Sequence, residues 1–205
     1  MAALNSTTDL MRELVTTRLV LEPLSATHAD EMYAVLGDPS LYRYLDSGPP
    51  ESIAQLRSRY VELEGRTSPD GSQQWLNWIL RISGSECAIG FVQATVGSSL
   101  NTWVAYRVGA RYQGRGYATE GTRAMLAYLA DACAVRRCLA TVEVENRSSI
   151  RLLTRLGFQT AEADELARHE LTATERLYVR SSGVRSSGGQ VAGLVEANDD
   201  PAPRE

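Results

Sequence analysis

The chain has 205 residues, 43% of them hydrophobic, so we expect one domain with a full-sized core. Its net charge of −4 provides no basic field for nucleic acid, and no apolar run is long enough to span a bilayer. Residues 1–9 lack the basic and apolar regions of a signal peptide. Cys87, Cys133 and Cys138 form an odd, scattered set, so we expect buried free thiols. These features predict a cytoplasmic protein without nucleic-acid or membrane partners.

The first hundred residues predict strands and helices joined by short turns. Thr27 is expected to cap the first helix, and the segment Pro49–Glu51 to start the second. Ser83-Gly84-Ser85 lies between two apolar runs and is typical of a hairpin turn. The predicted strands in this part are 18–24, 74–82 and 87–96.

The next stretch predicts a strand, a glycine-bearing turn and the start of a helix. Val104, Tyr106 and Val108 alternate with smaller or polar residues, and helical spacing of apolar residues begins at Ala118. Gly114 and Gly116 precede that helix, where glycines permit close approach of a ligand and unpaired amides attract an anion. This pattern predicts a phosphate-bearing ligand. A dinucleotide fingerprint is not completed, because Thr119 occupies the third glycine position.

The helix from Ala118 is followed by a strand at 138–144, and this order requires a right-handed crossover between parallel strands. Asn146 and Ser148 are expected to cap a further helix that ends at Gly157. Segments 158–171 and 175–180 are interpreted as a closing hairpin. The predicted fold class is α+β, with a mixed, largely antiparallel sheet and one central parallel βαβ crossover. The predicted organisation is a flexible N-terminus (1–15), one domain (16–180) and a disordered Ser/Gly-rich acidic tail (181–205).

Two motifs resemble one known family. Gln113-x-x-Gly116-x-Ala118 matches the pyrophosphate-arm motif of the GCN5-related N-acetyltransferases, the GNAT superfamily. The run from Asn146 to Gly157-Phe158 is similar to the Asn-x-x-(Ser/Ala)-…-Gly-Phe segment of the same superfamily. The opening at 17–24 resembles the ribosomal-protein-alanine N-acetyltransferase branch. The resemblance covers roughly residues 16–180 and implies the acyl-CoA N-acyltransferase-like fold.

The resemblance implies that acetyl-CoA is the co-substrate and that no metal takes part. Its pantetheine arm would pair with β-strand backbone where the two parallel strands separate, and its pyrophosphate would bind the amides of the glycine turn. An amide near Tyr106 would stabilise the oxyanion. The implied cofactor-binding residues are Tyr106, Arg107, Val108, Arg111, Gln113, Gly114, Arg115, Gly116, Tyr117, Ala118 and Thr119, together with Asn146 and Ser149.

The implied catalytic residues are less well defined than the cofactor site. Asn146 would orient the pantetheine or the amine, or serve as a helix N-cap, or both. Ser149 or water would protonate the leaving thiolate, because Leu153 occupies the position where many relatives have a tyrosine. Relatives often have a glutamate where this chain has Trp103. The general base is therefore left open among three residues, Glu143, His169 and Glu170, and a water relay.

The predicted function is acetyl-CoA-dependent N-acetylation of a primary amine, an acyl transfer other than aminoacyl transfer. The acceptor is left open among a protein N-terminus, an amino acid, a polyamine and an amino-sugar antibiotic. The alternative is a catalytically silent acyl-CoA-binding module of the same fold. By resemblance, a homodimer is plausible, and the turn at Ser47 to Pro50 borders the acceptor pocket.

Overall fold

The computed structural model describes residues 11–97 and 101–181. The strands are β1 Leu14–Val15, β2 Leu19–Pro23, β3 Gln73–Ile82, β4 Ala88–Gly97, β5 Asn101–Val108, β6 Arg137–Glu143, β7 Gln159–Thr160 and β8 Glu175–Ser181. The α-helices are α1 Ala29–Leu36, α2 Ile53–Glu64, α3 Tyr117–Ala132, α4 Arg147–Arg155 and α5 Ala163–Leu166. Short 3-10 turns precede α1, α2 and α3.

The described strands form one sheet of eight, in the order β1-β2-β3-β4-β5-β6-β8-β7. Every neighbouring pair is antiparallel except β5 and β6, which are parallel and joined by α3. The predicted α+β class and the central crossover are therefore confirmed.

Two hydrophobic cores cover the two faces of the sheet. On one face, α3 and α4 pack against the sheet, with Trp78 and Met125 fully buried. On the other face, α1 and α2 contribute Met32 and Leu56 to a second cluster that contains Ile79. Because β3 is covered on both sides, its residues 76–80 are buried without the alternation of a half-exposed strand.

The hairpin of β3 and β4 forms as predicted but contains an irregularity in register. Leu80 pairs with Gly90, whereas the next residue, Arg81, pairs with Ala88. A side chain at Gly90 would collide with the carbonyl oxygen of Arg107 on β5. The glycine therefore permits the close approach of β4 to β5 beside the site.

The parallel strands stay together over a short distance only. β5 and β6 pair at Asn101–Arg137, Thr102–Cys138 and Trp103–Leu139, and no further pairs follow. Beyond Trp103 the two strands separate while β5 remains paired with β4 as far as Val108. The sheet therefore contains a gap at its centre.

Three local predictions are wrong. The cap of the first helical segment is Ser25, not Thr27, because Ser25 has the extended backbone of an N-cap and forms a capping box with His28. The second helix begins at Ile53 with Ser52 as its cap, since Ser52 Oγ accepts the Gln55 amide at 3.1 Å. Residues 158–171 form only the short strand β7, followed by α5 and a turn, instead of one long strand.

The described ends of the chain also differ from expectation. The predicted flexible N-terminus extends too far, because Leu14–Val15 pairs with β2 and Trp78 Nε1 donates to the Arg12 carbonyl at 2.9 Å. The predicted tail lies outside the described residues, apart from Ser181 in β8. All three cysteines are free thiols, but Cys87 is exposed rather than buried. Among the described helices, none has the length and apolar character needed to cross a membrane.

Candidate active site

The gap leaves one edge of β5 open. From Val104 to Val108, β5 pairs with β4 on one side and with no described strand on the other. An extended ligand can therefore hydrogen-bond to this backbone as an added strand would. The Tyr106 side chain spans the gap to α4, and its hydroxyl donates to the Ser149 carbonyl at 3.4 Å. Burial raises the pKa of Tyr106 to about 12, so the hydroxyl stays a neutral donor.

The glycine turn leads from the end of β5 to the start of α3. Gly116 is the N-cap of α3 with φ 83°, and Gly114 has φ 74°, so both have left-handed backbones that favour glycine. No side chain caps the helix. The amides of its first turn, at Tyr117, Ala118 and Thr119, therefore form an anion site, and the space around Gly114 is open.

Gln113, the first residue of the motif, makes a side-chain hydrogen bond within the protein. Its Nε2 donates to the Val108 carbonyl at 3.1 Å and ties the turn to the end of β5. Arg111 and Arg115 are exposed, and the Arg111 guanidinium lies 4.8 Å from the Tyr112 ring. Both cations are thus available at the rim of the turn.

A clasp formed by Thr16, Arg18 and Glu120 holds the turn from behind. Arg18 Nε donates to Glu120 Oε2 at 2.7 Å, and Thr16 Oγ1 donates to Oε1 at 2.7 Å. Arg18 Nη1 also donates to the Arg115 carbonyl at 3.0 Å, and its guanidinium lies 4.7 Å from the Tyr117 ring. Burial raises the pKa of Glu120, but the hydrogen bonds from Thr16 and Arg18 outweigh it and leave the pKa below 4.5. No local pattern indicated this clasp.

The start of α4 lies on the far side of the gap. Asn146 Oδ1 accepts the Ser149 amide at 3.1 Å and the Ser148 hydroxyl at 2.9 Å, so its expected N-cap role is confirmed. Ser149 is half-buried, next to the end of the Tyr106 side chain. Leu153 is fully buried in the core.

The three candidate bases have different surroundings in the structure. His169 Nε2 lies 3.1 Å from Glu165 Oε1, and its ring packs edge-on against Trp103 with the centroids 5.2 Å apart. Glu143 is the last residue of β6, opposite Glu175 in the register with β8. Glu170 is exposed, and neither Glu170 nor His169 lies on the strand predicted for residues 158–171.

His169 therefore lies beside Trp103, the last residue of β5 before the strands separate. Its partner Glu165 has a side chain only 8% exposed and also pairs with Arg137 at 2.9 Å. The hydrogen bond from Arg137 is the main cause that lowers the pKa of Glu165 below 4.5. Sequence reasoning did not identify Glu165, although its i,i+4 spacing to His169 was a usable signal.

A cavity of about 500 Å³ lies between the sheet and the α1–α2 layer. The predicted turn contributes Ser47, Gly48 and Pro50 to its lining. Its floor includes Asn77 on β3 and Gln93 on β4, which are directly paired, and Gln93 in turn pairs with Ala105 on β5. The floor thus extends to the strand that borders the gap.

No cluster of His, Cys, Asp and Glu that could hold a metal ion is found in the described parts of the chain. The arrangement instead combines an open strand edge, an anion site at a helix start and an adjoining cavity. These features suit a long ligand that has both an extended amide-bearing arm and a phosphate group.

Comparisons with known proteins agree with this geometry. The sequence model described as "Acetyltransferase (GNAT) domain" matches residues 18–159, more than half of the chain. The uncharacterized N-acetyltransferase p20 of Bacillus licheniformis is 26% identical over 152 residues, which cover 73% of this chain and 83% of p20.

Two solved structures show the same fold at low sequence identity. The microcin C7 self-immunity acetyltransferase MccE, in complex with acetyl-CoA and AMP, has a TM-score of 0.69 at 16% identity and covers 85% of this chain and 99% of its own. RimL, the ribosomal L7/L12 α-N-protein acetyltransferase, in complex with coenzyme A, has a TM-score of 0.66 at 18% identity and covers 83% of this chain and 98% of its own. Together with the family match, the gap in the sheet and the uncapped start of α3 lead to one conclusion: the chain belongs to the GNAT family of acetyltransferases.

Proposed function

We propose that the protein transfers the acetyl group of acetyl-CoA to a primary amine by direct attack on the thioester. The observation that carries this proposal is the separation of β5 from β6 beside the uncapped start of α3. One edge of β5 and the amides of the glycine turn fit a pantetheine arm and a pyrophosphate, respectively. MccE with acetyl-CoA and RimL with coenzyme A support this assignment by their shared fold.

The residues proposed to hold acetyl-CoA follow from these elements. Backbone groups of Tyr106, Arg107 and Val108 would pair with the pantetheine, and the amides of the Gly114–Thr119 segment would bind the pyrophosphate. Arg111 and Arg115 would add charge at the rim. Bound acetyl-CoA supplies an activated thioester. The backbone amide near Tyr106 would then stabilise charge on the carbonyl oxygen, a contribution of about 3 kcal/mol.

We assign the general base to His169. Its Nε2 is hydrogen-bonded to Glu165, which would orient the ring as carboxylates do for catalytic histidines, and its ring packs against Trp103, the residue after which β5 and β6 separate. The histidine lies against the residue that replaces the glutamate of many relatives. Glu170 is exposed, and Glu143 is the last residue of β6, four residues beyond Leu139, the strand partner of Trp103.

Acetyl transfer forms one covalent bond and breaks another. The amine nitrogen forms a bond to the acyl carbon, the carbon–sulfur bond breaks, and its electron pair leaves with the sulfur. His169 accepts the proton that the amine loses, and the thiolate takes a proton from Ser149 or from water. Asn146 would position the start of α4, since its Oδ1 is already used twice as a cap.

A melting experiment tests the cofactor site. Acetyl-CoA and CoA, at a hundredfold excess over Kd, should each stabilise the protein by about 2.7 kcal/mol, whereas NAD should have no effect. No stabilisation by acetyl-CoA would refute the proposal.

The silent-module alternative predicts the same stabilisation but no CoA release when amines are added. Amine-dependent release, measured above background hydrolysis, separates the two. The cytoplasmic location and the homodimer remain predictions.

A further inference from the structure

The charged residues in the described lining of the cavity on the α1–α2 face are arginines. Two arginines, Arg59 and Arg107, line it, and none of its lining residues in the described part of the chain is Asp or Glu. Arg59 is already paired with Glu62 at 2.7 Å. The Arg107 guanidinium instead lies 4.4 Å from the Tyr42 ring and 5.7 Å from the Phe91 ring, and no ion pair of Arg107 is found within residues 11–97 and 101–181. A guanidinium that lies against two aromatic rings, with its N–H groups not used in an ion pair, suits a carboxylate ligand.

Two buried polar groups of residues that line the same cavity lack a hydrogen-bond partner among the described residues. Tyr60 Oη and Asn77 Nδ2 are both without one, and each residue is only 4% exposed. Burial is the main cause that raises the pKa of Tyr60 above its usual value, so its hydroxyl remains a donor. Leaving such donors unpaired is costly, and oxygen atoms of a ligand would satisfy both.

The register places these groups next to the gap. Asn77, Gln93 and Ala105 are neighbours across three strands, and the adjacent row ends at Arg107. Ala105 is exposed on this face, in the part of β5 that has separated from β6. Arg107 therefore lies on the open edge of β5, two residues along the strand from Ala105, so a ligand group at Arg107 is close to where the acetyl group is proposed to be transferred.

We propose that the acceptor is a small amine that also carries a carboxylate, in the simplest case a free amino acid. Its carboxylate pairs with Arg107, and Tyr60 and Asn77 donate to its oxygens. Polyamines and amino sugars are disfavoured, because they bring several cations close to two arginines. A protein N-terminus is disfavoured as well, because it presents a neutral peptide carbonyl where Arg107 offers charge. This inference rests on the proposed acetyltransferase function.

The test compares matched amines that differ only in the carboxylate. Leucine is compared with 3-methylbutylamine and with leucinamide, and phenylalanine with 2-phenylethylamine, each by kcat/KM for CoA release. The amino acids should be preferred by about tenfold or more. Arg107→Gln should abolish this preference, and Asn77→Asp, which adds a carboxylate of nearly the same shape, should reverse it. Equal rates for the matched amines, faster turnover of spermidine, or a preference unchanged in Arg107→Gln would overturn the inference.

A binding measurement separates failure of this inference from failure of the proposed function. With CoA saturating, leucine or phenylalanine should raise the melting temperature, and the two decarboxylated amines should not. If that shift is present and lost in Arg107→Gln, the carboxylate site stands even when no amine is acetylated, and only the transferase proposal fails. If neither amino acid shifts the melting temperature while acetyl-CoA does, the carboxylate site is wrong.

Discussion

The glycine turn makes the cofactor proposal testable with three alanine variants. Gly114 and Gly116 have φ of 74° and 83°, and Gly71, in the loop before β3, has φ of 72°. Alanine in this left-handed conformation costs about 1 kcal/mol at each position. A Cβ at Gly71 or Gly114 would meet no atom within 4 Å, and at Gly116 the nearest atom, Arg18 Nη2, is at 3.4 Å. All three variants should therefore fold, with melting temperatures lower by about 2–4 °C.

Their effect on acetyl-CoA binding should differ. A methyl group at Gly114 projects into the open space where the phosphate must approach the amides, so it should remove about one charge-assisted hydrogen bond, or about 1.5 kcal/mol, whereas at Gly116 the methyl group lies against Arg18 on the clasp side. The loss at Gly114 weakens binding by about tenfold, measured as Kd by calorimetry. Gly71→Ala matches the backbone strain without touching the turn and should bind acetyl-CoA as the wild type does. Equal affinity in all three variants would show that the turn does not hold the pyrophosphate.

Three further predictions concern single side chains. His169→Gln should lower kcat by about a hundredfold, whereas Glu170→Gln should leave kcat unchanged; an unaltered kcat in His169→Gln would exclude His169 as the base. Glu120→Gln should cost about 1 kcal/mol of unfolding free energy near pH 7. Because the pKa of Glu120 is lowered on folding, the higher unfolding free energy of the wild type should persist above about pH 5 and disappear as the pH falls through the folded-state pKa. If the difference in unfolding free energy between wild type and variant, measured in urea titrations, stays constant down to about pH 3, the clasp is contradicted. Asn77→Leu removes an unpaired buried donor and should raise stability by about 1 kcal/mol, so a lower melting temperature would show that the amide has a partner.

Elements defined by local patterns were predictable. The β3–β4 hairpin has its turn at Gly84, and α3 follows glycines at Gly114 and Gly116. These features depend on residues close in sequence, and turn chemistry and helical period act at that range. The strand predicted for 158–171 was wrong because this segment has too few apolar residues to distinguish a strand from a short helix. Glu165 in α5 is instead buried and forms an ion pair with Arg137, a partner far away in the sequence.

The site was predictable only where it is local. The cofactor turn lies within one hexapeptide, but the clasp joins Arg18 to Glu120 across 102 positions. His169 meets Trp103, and Tyr60 lies in one cavity with Asn77, only because helices and strands pack in three dimensions. Sequence periodicity carries no information on such contacts. The family resemblance supplied a set of candidate bases, and the fold places them in different surroundings.

Acetyl transfer to an amine can be followed through the release of free CoA. The purified protein is incubated with acetyl-CoA, with and without an added primary amine such as leucine, and free CoA thiol is followed over time. We expect amine-dependent CoA release that saturates with the amine concentration and is lower in His169→Gln. If acetyl-CoA raises the melting temperature but none of the amines tested increases CoA release above background, the protein binds acyl-CoA without transferring the acetyl group. The proposed transferase function is then wrong.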